Sequence, residues 1–258
     1  MPDLQYRISG FAPADDAPAD VEATLGLWDK AIAVLAEHHT PDEADSFFIL
    51  HDGSATWGAP GAPQLISLHI TRDLTARTFT VDEATHPTVP FAQRWLADRG
   101  CAPDTIRLPE GTYAGPADAL TSRLEEQIRH SGARYEVKDH YTHDSEPYET
   151  WVMVRDTDPS SADRPVRIFL EEADLKAFTY TLREGAFRDG TAANQWLFDR
   201  DTPLPKPTEH LAPAGRRAQA ARARSTTDPQ KPGTAAPSAA ATTQAPAPGV
   251  QQTQRGAR

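Results

Sequence analysis

The side chains best able to do chemistry are gathered in two stretches. The first is Lys138-Asp139-His140-Tyr141-Thr142-His143-Asp144-Ser145-Glu146. Two histidines three residues apart with flanking carboxylates are the donor types that hold zinc or another divalent ion. In a regular strand, residues three apart point to opposite faces. His140 and His143 therefore converge only if the strand ends between them and a hairpin turns. No HExxH or CxxC pattern accompanies them. The expectation is a solvated hairpin tip, with His140, His143 and Asp144 as binding candidates and no metal assigned.

The second stretch is His51-Asp52-Gly53-Ser54-Ala55-Thr56-Trp57-Gly58. A hydrolytic triad needs a carboxylate that orients an imidazole and an imidazole that reaches a hydroxyl. Adjacent His51 and Asp52 do not supply that geometry, and the chain has no GxSxG elbow. No catalytic residue is assigned and no cofactor is implied. His51 and Asp52 remain binding candidates. Trp57 stands between small residues in a Gly/Pro loop, where it either anchors a partner, as interface aromatics do, or folds back over a sheet edge. His38-His39 is expected at a helix C-terminus, favourable to the helix dipole. His69, between Leu68 and Ile70, is expected to be a hydrogen-bonded strand residue. Cys101 lacks a basic neighbour to lower its pKa and is expected to be inert. It is the single cysteine, so no disulfide forms within the chain, which fits a reducing compartment.

Charge excludes some partners. From Pro203 onward there are eight Lys and Arg against two Asp and Glu, a net of +6, which leaves the preceding 202 residues at −17. Nucleic-acid affinity is mostly phosphate neutralisation by cations, so the body is a poor binder of nucleic acid or of an anionic membrane. An acidic body attracts basic protein partners. Arg216, Arg217, Arg222 and Arg224 cluster in the C-terminal segment, where they could touch nucleic acid or fold back on the body. The first residues lack the basic and apolar regions of a secretory signal, and no run approaches a membrane span. A cytoplasmic protein is expected.

The elements that must position these residues read as α+β. Leu4, Tyr6 and Ile8 alternate as a short strand. Val21, Leu25, Trp28, Ile32 and Leu35 recur at helical spacing, with Pro18 at the helix start. Strands are expected at 47–50, 65–70 and 78–81, separated first by the loop 52–63, and then a helix over 89–98 that stops at Gly100. The second half predicts a strand at Ile106 and Leu108 and a helix opened by Pro116. Strands follow at 135–141, 150–155 and 166–170, then a helix over 173–184. Trp196, Leu197 and Phe198 form a last apolar cluster. Both halves thus read β-α-β-β-β-α, with boundaries at 1–101 and 102–202. Short echoes support an internal repeat: Arg7-Ile8 with Arg107-Leu108, Pro18-Ala19-Asp20 with Pro116-Ala117-Asp118, and Asp82-Glu83-Ala84 with Glu171-Glu172-Ala173. The sheet is expected to be mainly antiparallel. Residues 203–258, rich in Pro, Ala and Thr, are expected to be disordered.

An α-β-β-β-α order is also that of double-stranded-RNA-binding domains, which grip the phosphate backbone. Where those modules carry lysines, this chain has Asp82-Glu83 and Glu171-Glu172. The sign is wrong for phosphate.

The stretch Val152-Met153-Val154-Arg155-Asp156-Thr157, then Pro165-Val166-Arg167-Ile168-Phe169, then Ala177-Phe178 and Glu184-Gly185-Ala186-Phe187 resembles the small BldB-like actinobacterial proteins. Those read as a "VAVRDS" strand, a "PVL-F" strand and a helix ending "GEF". Heavy use of Arg over Lys also looks actinobacterial. The chain departs from the family at Glu149-Thr150-Trp151, where a Cys-containing segment is usual, and at Glu171-Glu172, where a Ser/Thr-Pro helix start is usual. The resemblance implies a regulatory partner protein and carries over no catalytic residue. The expected function is a non-enzymatic interaction or regulatory protein whose acidic body binds a protein partner. The alternative is an enzyme or a small-ligand or metal binder using a cleft between the two halves.

Overall fold

Phe47, Phe48, Ile49 and Leu50 are all buried, as an unbroken apolar run predicts for an inner strand. The computed structural model describes residues 6–14 and 32–207. Ten strands fall into two five-stranded sheets. The first comprises β1 (Ala12–Pro13), β2 (Ile32–His39), β3 (Asp45–Asp52), β4 (Leu65–Asp73) and β5 (Thr78–His86), in the order β1-β5-β4-β3-β2. The second comprises β6 (Gly115–Pro116), β7 (Tyr135–His143), β8 (Glu149–Asp156), β9 (Val166–Asp174) and β10 (Thr179–Phe187), in the order β6-β10-β9-β8-β7. In each sheet four strands run antiparallel, and the short first strand lies parallel to the last. Four α-helices, α1 (Ala55–Gly58), α2 (Val89–Ala97), α3 (Ala119–Arg129) and α4 (Gly190–Asp199), and two short 3-10 turns complete the described residues. The fold is α+β, and no helix among the described residues is long and apolar enough to cross a membrane.

Helices α3 and α4 begin at aspartate caps. Asp118 accepts from the Thr121 N–H at 2.8 Å and Asp189 from the Ala192 N–H at 2.8 Å, satisfying N–H groups that a helix start leaves unpaired. Helix α2 sits at the seam between the halves. Val89, Ala92 and Leu96 enter the core of the first sheet with Phe47, Ile49 and Leu65. Phe91, on another side of the helix, enters the second core with Leu124, Ile128, Tyr135 and Phe169. Polar links cross the same seam: Arg94 Nη1 donates to the Tyr135 carbonyl at 2.7 Å, and Arg129 Nε donates to Gln93 Oε1 at 2.8 Å. The other face of the first sheet holds Phe48, Leu50, Leu68, Ile70 and Phe79. The other face of the second sheet packs Met153, Ile168 and Leu170 against α4.

The two sheets repeat each other in detail, and the ladder register fixes the correspondence. Ile70 faces Val81 and Ser46, while Glu171 faces Leu182 and Thr150. Positions on the last two strands therefore match at a separation of 101. At that separation Asp73-Leu74-Thr75-Ala76-Arg77-Thr78-Phe79-Thr80-Val81 lies over Asp174-Leu175-Lys176-Ala177-Phe178-Thr179-Tyr180-Thr181-Leu182. In both hairpins the aspartate takes two backbone N–H bonds across the turn, and the residue before the last strand has a positive φ, 58° at Arg77 and 54° at Phe178. Trp95-Leu96 and Asp98-Arg99 likewise match Trp196-Leu197 and Asp199-Arg200, and each arginine lies over its own tryptophan. Both edge strands carry a bulge, at Leu35 and at Lys138.

The structure corrects several expectations. The helix over 173–184 is instead the hairpin β9–β10, which gives the second half one more strand than predicted, as β2 does the first. Leu175, Phe178 and Leu182 imitate helical spacing, but Leu175 and Phe178 are exposed turn residues. Ile32 and Leu35 belong to β2, whose bulge breaks the alternation that would have marked a strand. His38-His39 therefore ends a strand: His38 stacks on Phe47, and His39 Nδ1 is hydrogen-bonded to Ser46 Oγ at 2.6 Å. Leu4, Pro18, Val21, Leu25 and Trp28 lie outside the described residues. Tyr6 and Ile8 pack on the first sheet without forming a strand. Ile106 is a buried core residue of the inter-half connection, not part of a strand. Pro116 closes β6, and the helix starts after it. Asp82-Glu83-Ala84 lies within β5, so its echo with Glu171-Glu172-Ala173 is out of register. Leu204 packs beneath α4 and the Pro205 carbonyl accepts the Ala186 N–H at 2.8 Å, so residues 203–207 belong to the packed body. The rest of the C-terminal segment, with Arg216, Arg217, Arg222 and Arg224, lies outside the described residues.

Candidate functional site

Three connections meet where the two sheets approach. After β3 the chain turns at Asp52, which accepts from Ser54 N at 2.8 Å and Ser54 Oγ at 2.6 Å, and enters α1. The loop then lies against β7. Gly61, at φ +82°, places its carbonyl to accept the Thr142 N–H at 3.2 Å, and a Cβ there would collide with the Tyr141 ring. Thr56 donates its hydroxyl hydrogen bond to Asp144 across the same junction. The connection before β6 brings Tyr113 between the halves, 6.2 Å ring to ring from His51 and 6.4 Å from Tyr180.

These elements enclose a cavity of about 480 Å³, lined by His51, Trp57, Tyr113, Thr142, His143, Asp144, Tyr148, Glu149, Glu171 and Tyr180 among others. Of the candidates read from sequence, His51, Trp57, His143 and Asp144 come together here. Asp52 and His140 do not line the cavity: Asp52 is a turn residue, and His140 sits further along β7. The two histidines do not form a pair for one ion. Among the described residues no three His, Cys, Asp or Glu side chains converge as a metal-binding set. Trp57 does not fold back, and is 80% exposed beside the cavity.

The feature missed in the sequence is Glu171. It is 6% exposed, lines the cavity, and among the described residues nothing hydrogen-bonds its Oε2. Burial, and then the Glu125 carboxylate, push its carboxyl up to about 8. Neighbouring groups are held neutral by the same environment. Burial lowers the His51 imidazole, against an opposing hydrogen bond with Gln64, and burial followed by Glu171 raises the Tyr113 phenol. Tyr180 donates its phenol hydrogen bond to Glu125. Thr142 Oγ1 is a second buried polar atom without a partner among the described residues. The other acids of the cavity are engaged: Asp144 by Thr56, and Glu149 by a two-pronged Arg200 at 2.7 and 2.9 Å. A buried neutral carboxyl can donate a hydrogen bond, and an ionised one can hold a cation. Both are functions that an empty apolar strand position lacks.

The repeat supplies a control. The position of Glu171 in the first sheet is Ile70, fully buried, and that of Arg167 is Ile66. The charge of Arg167 is compensated, although its Nε and Nη1 have no hydrogen-bond partner among the described residues: it reaches Ser161 at 2.8 Å and Asp156 at 3.2 Å, and Asp156 is also gripped by Arg134 at 2.7 Å through both oxygens. Glu171 has no such partner. A second cavity of about 490 Å³ lies on the other side of Tyr113 and Tyr180. Its two arginines, Arg107 and Arg129, are paired with Asp104, Glu126 and Gln93. No protein-family model matches this sequence, and none of the curated proteins or solved structures matches it either.

Proposed function

We infer that the protein binds a small molecule in the cleft between its two sheets. One observation carries the inference: the buried, unpartnered carboxyl of Glu171 opens onto a cavity of ligand size, at a position where the matching strand keeps isoleucine. A buried polar group without a partner costs roughly 1–3 kcal/mol, more if charged. The first sheet shows that the architecture does not require that cost. Cavities of roughly 300–1,000 Å³ lined by aromatics with a few polar groups are the usual form of small-ligand sites.

A ligand-observed NMR fragment screen on the full-length chain tests this, with Ala33→Trp as the blocking variant. Ala33 is an exposed residue of β2 at the cavity wall, so a large ring there narrows the cleft without entering the core. Saturable fragment binding lost in Ala33→Trp is expected. No binding, or binding indifferent to the blocking ring, would refute the inference.

A second function, the interaction or regulatory role implied by the BldB-like resemblance, is favoured by Trp57, whose exposed ring beside the cleft is shaped as an anchor for a protein partner. Affinity purification from native lysate with wild-type and Trp57→Ala protein, read by mass spectrometry, tests it. A partner depleted by the substitution supports this role, and identical partner profiles count against it.

A further inference from the structure

The cleft, taken as the binding site, also carries information about the class of its ligand. Among the described residues no Lys or Arg lines the cavity, while three carboxylates do. Asp144 and Glu149 already have donors. Glu171 is left as the one acid whose charge, once formed, nothing in the described protein compensates. An anionic ligand would therefore find no cation in the lining to meet its charge. The same lining carries the rings of Tyr113, Tyr180 and Tyr148, together with the more exposed Phe178 and Trp57. Aromatic faces attract cations, and the attraction grows as water is excluded. The neighbouring cavity behind Tyr113 and Tyr180 differs in having two arginines in its lining, Arg107 and Arg129, each with its own partners, while its Glu125 accepts from Tyr180.

We propose that the ligand is an organic cation, a primary ammonium or guanidinium carried on an apolar or aromatic body, with its charged head on Glu171 and its body against Tyr113 and Tyr180. The proposal rests on the cleft as the binding site. The cation supplies the hydrogen-bond donors that Glu171 Oε2 lacks, and the rings cover the remainder. The first sheet, with Ile70 and Phe79 in place of Glu171 and Tyr180, keeps the architecture with neither a carboxyl nor a phenol at those positions.

Proton linkage gives an independent signature. In the empty protein Glu171 is held at about 8. A cation favours the ionised form, so binding near neutral pH releases a proton and tightens as pH rises towards 8. A neutral ligand that accepts a hydrogen bond from protonated Glu171 shows the reverse trend. The groups facing Glu171 are Glu125 from α3, Tyr180 from β10 and Tyr113 from the connection before β6, with His51 of β3 across the cavity; His143, Asp144 and Glu149 line the same cavity, and His143→Gln is run as the control for the second imidazole. Both phenols are raised and His51 is lowered, so neither type changes charge across that range. Glu125 does carry a raised carboxyl, and Glu125→Gln is the control that separates its titration from that of Glu171.

The experiment is calorimetry on the full-length chain with three probes of one shape: 2-phenylethylammonium, 2-phenylethanol and phenylacetate. It is run from about pH 6 to about pH 8.5. The ammonium alone is expected to bind saturably, with affinity rising with pH in wild-type protein and in Glu125→Gln. Glu171→Gln, and separately Glu171→Ile, should weaken it by at least ~30-fold. The isoleucine variant copies the matching strand of the first half, so its fold is expected to persist, and circular dichroism checks this. Binding of the alcohol or of phenylacetate at least as tightly as the ammonium, lost in Glu171→Gln, would overturn the cation while leaving the cleft as the site. No binding by any probe, or ammonium binding unchanged in both Glu171 variants, would overturn the proposal. If the NMR fragment screen is also negative, the cleft fails with it.

Discussion

Glu171→Gln is the perturbation that isolates the buried carboxyl, because glutamine keeps the shape and removes only the titration. Below about pH 4.5, the ordinary value, the wild-type carboxyl is protonated in both the folded and unfolded chain and adds nothing to the pH slope. Between there and about 8 the unfolded chain releases the proton while the folded chain keeps it. The folded state binds more protons over that range, so wild-type stability falls as pH rises. At 1.36 kcal/mol per pH unit, the full span amounts to ~4–5 kcal/mol. Glutamine does not titrate and escapes this loss.

The expected result is a stability difference that moves in favour of Glu171→Gln by about 1.4 kcal/mol per pH unit from about pH 5 to about pH 8, then levels off. Urea unfolding followed by tryptophan fluorescence at matched pH values reads it directly. Glu125, Asp156 and the remaining acids titrate in both proteins and largely cancel in the difference. A difference that stays flat with pH would show that Glu171 ionises near its ordinary value. It would then have a partner or free solvent access, and the reasoning that makes it the centre of the cleft would fail.

Two further perturbations probe the frame around the site. Asp156→Asn removes the acceptor that Arg134 and Arg167 share, and should cost ~3–5 kcal/mol at neutral pH, since it leaves buried guanidinium charge unpaired. Burial by itself would raise Asp156, but Arg134, Ser161 and the Asp158 N–H outweigh it and hold the carboxyl at about 2. Its contribution is therefore present above its ordinary value of 3.8 and is lost as pH falls through about 2, so the variant's deficit should shrink in acid unfolding over that window. Gly61→Ala forces a side chain onto a residue at φ +82° and against the Tyr141 ring, and should cost ~1–3 kcal/mol in chemical denaturation.

Much of the fold could be read from the sequence because its inner strands are continuous apolar runs. Phe47–Leu50, Val152–Val154 and Ile168–Leu170 declare themselves without any help from their neighbours. The edge and hairpin strands were harder. In β2 the bulge at Leu35 places Leu35 and Ala36 both inside, which destroys the period of two. In β10, Glu184 and Gly185 interrupt the apolar face, and the exposed Leu175 and Phe178 of the turn completed a false helical stripe. The repeat was visible in principle, but the echo of Asp82-Glu83-Ala84 with Glu171-Glu172-Ala173 was out of register, and Pro18-Ala19-Asp20 lies outside the described residues. The one that matters, Asp-Leu-x-Ala before a Thr-x-Thr strand, recurs 101 residues apart. Aligned on that, Glu171 falls on Ile70. An acid at an inner-strand position is the signal that would have singled it out.

The candidate site was half legible for a related reason. His51, Trp57, His143 and Asp144 are polar or aromatic residues in loops and at strand ends, where composition alone draws attention to them. Tyr180 and Glu171 stand within strands and Tyr113 in an unremarked connection, and each looks structural by itself. Their meaning comes from comparing the two halves. On β9 the second sheet replaces two buried isoleucines of the first with charged residues. Arg167 is met by Asp156 and Ser161, with Glu184 at 3.7 Å, and so belongs to the packing of its own half. Glu171, four residues on and on the same face, points to the junction with the first half, and the described protein offers no donor to its Oε2. A fold that sets carboxylates beside one buried charge and no cation beside the next has, at that second position, a function that packing does not explain.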